Sequence, residues 1–208
     1  ASDVYKRQAN TSAGDGRLTF DKPERENCDG YAYDPENPSQ HIIDMSENEI
    51  EVPEDYTREE LRQDLLCYTS PVLKEDLVLT GDMTAELYIS SDAPDTDFVV
   101  RVTDVDENGR SIKLADGLLS ARYRNGFARS EFLQEGEIVC LKIRTTKLSN
   151  CFRKGHRIRV TVTSSAKNFI FPNSNTREGF ASARTVVAHN RVYHGGLHAS
   201  RLTVRVEP

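Results

Sequence analysis

Histidine is the residue type in this sequence best suited to holding a metal or moving a proton, and His189, His194 and His198 lie close together. Three neutral imidazoles that converged would make a zinc site. His194 and His198 have the i, i+4 spacing of one helix face, but Gly195-Gly196 between them opposes that helix, and no third-ligand motif follows. The expectation is a loop that uses its histidines for hydrogen bonds. The four cysteines, Cys28, Cys67, Cys140 and Cys151, include no C-x-x-C pair, so reduced and mostly buried thiols are expected. Neither a metal nor a cofactor is predicted from these residues.

Acidic residues offer a second kind of chemistry. Asp104, Asp106 and Asn108-Gly109 begin like a calcium-binding loop, yet the twelfth position from Asp104 is Ala115, where a bidentate Glu is needed. With strand patterns on both sides, a hairpin turn is the better reading. A weak surface cation site stays open at Asp95 and Asp97. A serine nucleophile on a strand-to-helix elbow needs G-x-S-x-G, and the sequence has none; Ser111 in Gly109-Arg110-Ser111-Ile112-Lys113 lacks the second Gly. No independent nucleophile is expected. Arg122, Arg124 and Arg129, with Tyr123 and Phe127 between them, could hold an anion or a nucleic acid. The formal net charge of −6 opposes a phosphate backbone, so a solvated loop or an interdomain contact with the arginines paired to carboxylates is expected instead.

The elements that position these residues read as all-β. At 208 residues, 37% hydrophobic and 29% charged, the chain can bury one substantial core. No apolar run is long enough to cross a bilayer and no secretory leader is recognisable, so no membrane partner is expected. A cytoplasmic location is the expectation, with export left open because no initiator Met is present. Ala1–Gln8 fit nothing that follows and are read as an unrelated or artefactual leader. Residues 9–60, rich in Asn, Ser, Gly, Asp, Pro and Glu, read as an extended arm, with one short helix around Thr57–Gln63 in capping-box spacing to Glu60. Residues 61–208 read as a jelly-roll β-sandwich. Ala85, Leu87 and Ile89, then Phe98, Val100 and Val102, then Ile158, Val160 and Val162, then Leu202, Val204 and Val206 alternate with polar residues. One face is expected in the core and the other in water. Turns are expected at Thr80-Gly81-Asp82, Asp106 to Gly109, Asp116-Gly117 and Glu135-Gly136.

An ordered set of stretches resembles the C-terminal domain of the serine hydrolase family that contains cocaine esterase, X-Pro dipeptidyl-peptidases, glutaryl acylases and α-amino-acid ester hydrolases. They include Tyr33-Asp34-Pro35, Asp64 to Ser70, Ser90 to Phe98 with its Asp95-Thr96-Asp97-Phe98 core, Ala121 to Arg124, Gly155 to Ile158, Asn173 to Thr176, and Tyr193-His194 through Ser200. His198-Ala199-Ser200 departs from the family's usual His-Pro-Ser, and residues 39–54 match less closely. The resemblance implies a galactose-binding-like jelly roll without the catalytic triad, which resides in a preceding α/β-hydrolase domain of the same chain. It further implies that the segment after the Tyr-Asp-Pro run, here Ile42, Ile43 and Met45, helps wall the pocket for a small acyl ester, amide or peptide substrate. Plain interdomain packing by those three residues, a homo-oligomeric assembly, and a carbohydrate-binding jelly roll are the competing readings.

Overall fold

The structure, a computed structural model, describes residues 9–42 and 54–205. Its strands are β1 (Asn27–Tyr33), β2 (Leu65–Thr69), β3 (Leu77–Gly81), β4 (Thr84–Ser91), β5 (Asp97–Val105) and β6 (Ser111–Ser120). They continue as β7 (Val139–Arg144), β8 (Leu148–Phe152), β9 (Arg157–Thr163), β10 (Ala188–His194) and β11 (Arg201–Thr203). Every pairing between named strands is antiparallel. One sheet runs β1-β10-β4-β7, with β11 pairing the first half of β4 on the edge that β10 uses for the second half. The other runs β2-β9-β5-β6, and β3 with β8, distant in sequence, forms a separate two-stranded sheet. This is the antiparallel β-sandwich that alternation predicts.

The core between the sheets is built by the expected inward positions. Ala85, Leu87 and Ile89 of β4 meet Phe98, Val100 and Val102 of β5, and Leu141 and Ile143 of β7 and Val160 and Val162 of β9 join the same buried cluster. Tyr31 and Tyr33 belong to it too. Their strand, β1, pairs over its whole length with β10 although Asn27-Cys28-Asp29-Gly30 carries no strand pattern of its own. Its pairing with β10 and the two inward tyrosines define it, not intrinsic propensity.

The expectation of one dry face and one wet face fails for the sheet β2-β9-β5-β6. Val99, Arg101 and Thr103 are as buried as the inward residues they alternate with, and so are Thr161 and Thr163 of β9. Segments from elsewhere cover this outer face. Tyr56 N–H donates to Ser111 O at 2.8 Å, Cys67 N–H to Ala9 O at 2.7 Å, and Ser39 N–H to Ser165 Oγ at 2.8 Å. The signal was present in Phe98-Val99-Val100, an unbroken apolar run of the kind found in strands buried on both sides.

Three local readings change. The helix expected at Thr57–Gln63 is only a 3-10 turn, Glu59–Leu61. Glu60 does not cap it. Its carboxylate turns inward to Arg159, accepts from Ser111 Oγ at 2.8 Å and lies 3.3 Å from Thr103 Oγ1. Asp116-Gly117 is not a turn but lies inside β6. Gly117 is needed for a close approach, since a Cβ there would stand 2.4 Å from the carbonyl oxygen of Arg144. Thr80 and Gly81 likewise lie inside β3, which pairs with β8 and not with β4, so no hairpin turn stands there. The turns at Asp106 to Gly109 and Glu135-Gly136 form: Asp106 Oδ1 accepts the N–H groups of Asn108 and Arg110 at 2.8 and 2.9 Å, and Gly109 and Gly136 take φ +83° and +73°.

Because Glu60 and Arg159 neutralise each other away from water, Glu60→Ala should cost about 3–5 kcal/mol in urea unfolding by leaving a buried cation alone. Replacing both by Met should recover most of that loss. A double variant as unstable as the single one would show that the pair's charge is not the reason.

Candidate functional site

The candidate wall begins at Ile42, which follows a segment clamped to the loop after β9. His41 N–H donates to Lys167 O at 2.8 Å, and Lys167 N–H returns to Ser39 O at 2.9 Å. The His41 ring stacks on Phe169 with centroids 4.6 Å apart. Ile42 is half-buried, and its N–H donates to the phenol oxygen of Tyr56 at 2.8 Å. Tyr56 is itself fixed from below, because the Arg101 guanidinium lies 3.8 Å from its ring centroid. Burial, and then the positive charge of Lys113, push the His41 imidazolium down to about 4, so the ring is neutral near pH 7. Ile43 and Met45 lie outside the described residues.

Beyond Phe169 the same stretch presents Phe171 and Phe180, stacked with centroids 6.1 Å apart and 80% and 78% exposed. Solvent-facing aromatic pairs of this kind mark contact surfaces. Phe127, equally exposed, tilts against Tyr123 in the arginine-rich stretch. That stretch is tied down as expected for two of its arginines: Arg122 pairs with Asp95 and Arg129 with Glu131 at 3.0 Å. Arg124 differs, donating to the carbonyl oxygens of Ala121 and Glu131.

Asp95 and Asp97 are not a surface cation site. Asp95 is fully buried and accepts from Arg122 N–H at 2.9 Å, Arg122 Nε at 2.7 Å and Asn173 Nδ2 at 2.7 Å. Asp97 accepts from the same Asn173 amide at 2.9 Å. Arg122 extends further, to the carbonyl oxygens of Thr176 and Arg177 at 3.0 Å each. The guanidinium supplies the positive charge that a metal would bring, and it sews the loop after β9 to the start of β5. Burial holds the Asp97 carboxyl above the ordinary carboxylate range, and the neighbouring Asp95 charge adds to this.

The histidine trio does not converge. His189 pairs with Asp92 at 2.7 Å, His194 with Asp29 at 2.8 Å and His198 with Glu26 at 3.0 Å, each with its own carboxylate. His156 likewise faces Asp104 at 2.9 Å. Among the described residues no group of three or more His, Cys, Asp or Glu side chains has the arrangement of a metal site. The cysteines are unpaired as expected, but only Cys67 is buried, and that burial pushes its thiol up to about 12, leaving it inert.

A concave feature opens between the sheets at the end of β10, a cavity of about 1240 Å3, away from Ile42. Leu87, Val160, Val162 and Val192 line its floor, and the exposed Phe20 and Leu197 stand at its mouth. Its rim carries the His194–Asp29 pair, but no activated nucleophile. Ser200 Oγ, which also lines it, donates to Tyr193 O and accepts from Tyr88 N–H. Such a hydroxyl has no base to take its proton.

Sequence reasoning passed over Arg101, Tyr56, Glu60 and Arg159 as site-forming residues. Arg101 and Arg159 occupy polar steps of alternating strands and read as solvent-facing, and only the apolar Val99 beside them hinted otherwise.

The comparisons with known proteins bear on the family and the fold. The family described as the X-Pro dipeptidyl-peptidase C-terminal non-catalytic domain matches residues 3–203. The chain is 36% identical over 205 residues to the cocaine esterase of Rhodococcus sp. (strain MB1 Bresler), covering 95% of this chain and 35% of that protein. It is 33% identical over 161 residues to a putative serine esterase of Mycobacterium bovis, covering 68% of this chain and 24% of that one. The chain thus spans about a third or less of the length of the curated relatives it matches. An aminopeptidase from a marine sediment Thaumarchaeota archaeon shares its fold with a TM-score of 0.85 at 24% identity, over 97% of this chain and 36% of the other. An α-amino acid ester hydrolase does so with a TM-score of 0.83 at 22% identity, over 97% and 36%. Both curated relatives are named as esterases, and nothing in these likenesses points to carbohydrate binding.

Two measurements probe the acidic cluster. Arg122→Met should lower stability by about 3–5 kcal/mol, because it strands the buried Asp95 carboxylate. For Asp97 the raised pKa means that the native state keeps a proton which the unfolded chain has already released. Its contribution to stability therefore falls as pH rises from about 4 through the folded pKa. Asp97→Asn removes that dependence, so the Tm difference, variant minus wild type, should grow more positive from about pH 4 to neutrality. A difference that stays flat over that range would contradict the assignment.

Proposed function

Because the chain belongs to the family of X-Pro dipeptidyl-peptidase C-terminal non-catalytic domains, we propose that it walls the substrate pocket of a larger serine hydrolase and stabilises it. The chemistry is carried by an α/β-hydrolase domain of the same protein, which cleaves ester or amide bonds in small acyl or peptide substrates. The single observation that carries the pocket role is Ile42. It emerges from a clamped segment, anchored on Tyr56, beside the exposed Phe169. A half-buried aliphatic residue held on a rigid mount is what a pocket wall requires, since substrate positioning tolerates little displacement. Ile43 and Met45 continue the wall in this reading.

The exposed Phe171–Phe180 pair and Phe127 support a contact with the catalytic domain, as apolar side chains that gain by being covered. Chain order supports the jelly-roll winding. It passes between the two large sheets six times: directly from β1 to β2, β4 to β5, β6 to β7 and β9 to β10, and by way of β3 and β8 from β2 to β4 and from β7 to β9, giving the facing orders β1-β10-β4-β7 and β2-β9-β5-β6. The arm, residues 9–60, in this reading wraps the sandwich and faces the catalytic domain.

The chain by itself should not hydrolyse p-nitrophenyl acetate with a burst; a stoichiometric, serine-dependent burst would overturn the non-catalytic assignment. In the full-length hydrolase, Ile42→Ala should shift kcat/KM between short-chain and bulky acyl esters by about 10-fold, roughly the worth of a few methylenes in an apolar pocket. Unchanged selectivity together with a lowered Tm would make Ile42 an interdomain packing residue instead.

A further inference from the structure

Strand register sets Cys67, Thr161, Arg101 and Asp116 abreast on the outer face of the sheet β2-β9-β5-β6. Arg101 is only 1% exposed, yet none of its Nε, Nη1 and Nη2 atoms has a hydrogen-bond partner. No carboxylate of the described residues lies within ion-pair distance of it, and its ring stack on Tyr56 satisfies no N–H group. The deficit runs along the row. Thr161 Oγ1 on one side and Asp116 Oδ2 on the other are also buried without a hydrogen bond.

The next row shows what a completed arrangement looks like on the same face. There Thr69, Arg159, Thr103 and Lys113 stand abreast. Arg159 donates to Thr69 Oγ1 at 2.9 Å and to Glu60, while Lys113 is paired with Glu54 at 2.7 Å. Arg159 is reached by a carboxylate, Glu60, whereas Asp116 stands abreast of Arg101 without forming an ion pair or a hydrogen bond with it. A buried guanidinium with unmade hydrogen bonds is among the costliest states a side chain can occupy.

Asp116 does not meet this need. Its Oδ2 lies 3.5 Å from Lys113 Nζ and 3.6 Å from His41 Nδ1, and it forms no ion pair with Arg101. His41 brings no positive charge near neutral pH, and Lys113 is shared between two carboxylates. Arg101 therefore stands as a single cation with a planar fork, next to a hydroxyl that can donate and a carboxylate that repels excess negative charge. A dianion such as phosphate is disfavoured by Asp116. A planar monoanion fits the fork with two parallel N–H···O bonds.

We infer that the outer face of this sheet holds a binding site for a small monocarboxylate, received by the Arg101 guanidinium with Thr161 Oγ1 as an additional donor. The site adjoins the mount of Ile42, because Arg101 lies against the Tyr56 ring, but its argument does not use the pocket-wall role and it can be tested on the 208-residue chain alone. Tm is followed while sodium acetate replaces sodium chloride at constant ionic strength near pH 7, with acetamide as a probe of the same shape and no charge.

Acetate should raise Tm saturably, by about 5–10 °C when it exceeds its Kd about 100-fold, and acetamide should not. Arg101→Met should abolish the response. In chloride alone it should leave Tm equal to or above that of the wild type, because an unpaired buried cation has been removed. A wild-type Tm indifferent to acetate, or an acetate response that survives in Arg101→Met, overturns the site. Should Arg101→Met not fold, titration of 13C-labelled acetate by NMR against the wild type and Thr161→Val decides it. Broadening that weakens in Thr161→Val supports the site, and an unperturbed acetate signal overturns it.

Discussion

The carboxylate of Glu60, turned down onto Arg159 where water does not reach, is the contact on which the architecture of the covered sheet depends. A β-sheet whose second face carries Arg and Thr would ordinarily leave that face in solvent. Here the face is closed, so each polar group on it must find a protein partner or leave a deficit. Glu60 serves Arg159, Ser111 and lies near Thr103 at once, so one acidic side chain satisfies groups on β9, β6 and β5. With that centre neutralised, the segment bearing Glu60 can lie flat on the sheet. Tyr56 comes with it and so does the anchoring of Ile42.

At the far end of the same strands a second network does comparable work with a different chemistry. Asp95, Asp97, Arg122 and Asn173 link the start of β5, the 3-10 turn after β6 and the loop after β9. Burial makes these bonds stringent, since the low local polarity strengthens a satisfied pair and penalises a broken one. The result is a sheet clamped at both ends, with the half-buried and exposed apolar side chains Ile42, Phe169, Phe171 and Phe180 carried on loops that the clamps hold in place. Rigid mounting of apolar residues suits a domain that shapes a neighbour's pocket.

The titratable groups tell the same story from the other direction. Four of the five histidines pair with a carboxylate of their own, while His41 is stripped of its charge by burial. Cys67 is kept protonated, and Ser200 is tied to backbone groups. Each of these side chains serves a hydrogen-bond or packing role, which matches the non-catalytic character of the family.

Local sequence was sufficient wherever a pattern reports on its own strand. The alternation of Ala85, Leu87 and Ile89 and the turn at Asp106 to Gly109 announced β4 and the β5–β6 hairpin, because side-chain period and turn chemistry are properties of neighbouring residues. The ordered motifs from Tyr33 to Ser200 carried the family, whose description as a non-catalytic domain is consistent with the missing G-x-S-x-G elbow. Tertiary structure alone decided the rest. Asn27–Tyr33 became a strand because β10 offered an edge, Gly117 was needed because β7 passes close by, and Glu60 turned from a helix cap into the partner of a residue distant in sequence. Arg101 reads as a solvent-facing polar step in any window of sequence, and only the burial of both faces of its sheet turned it into an unpaired cation. Whether a polar residue meets water or protein depends on which other segment covers it, and that is a long-range fact that no local period encodes.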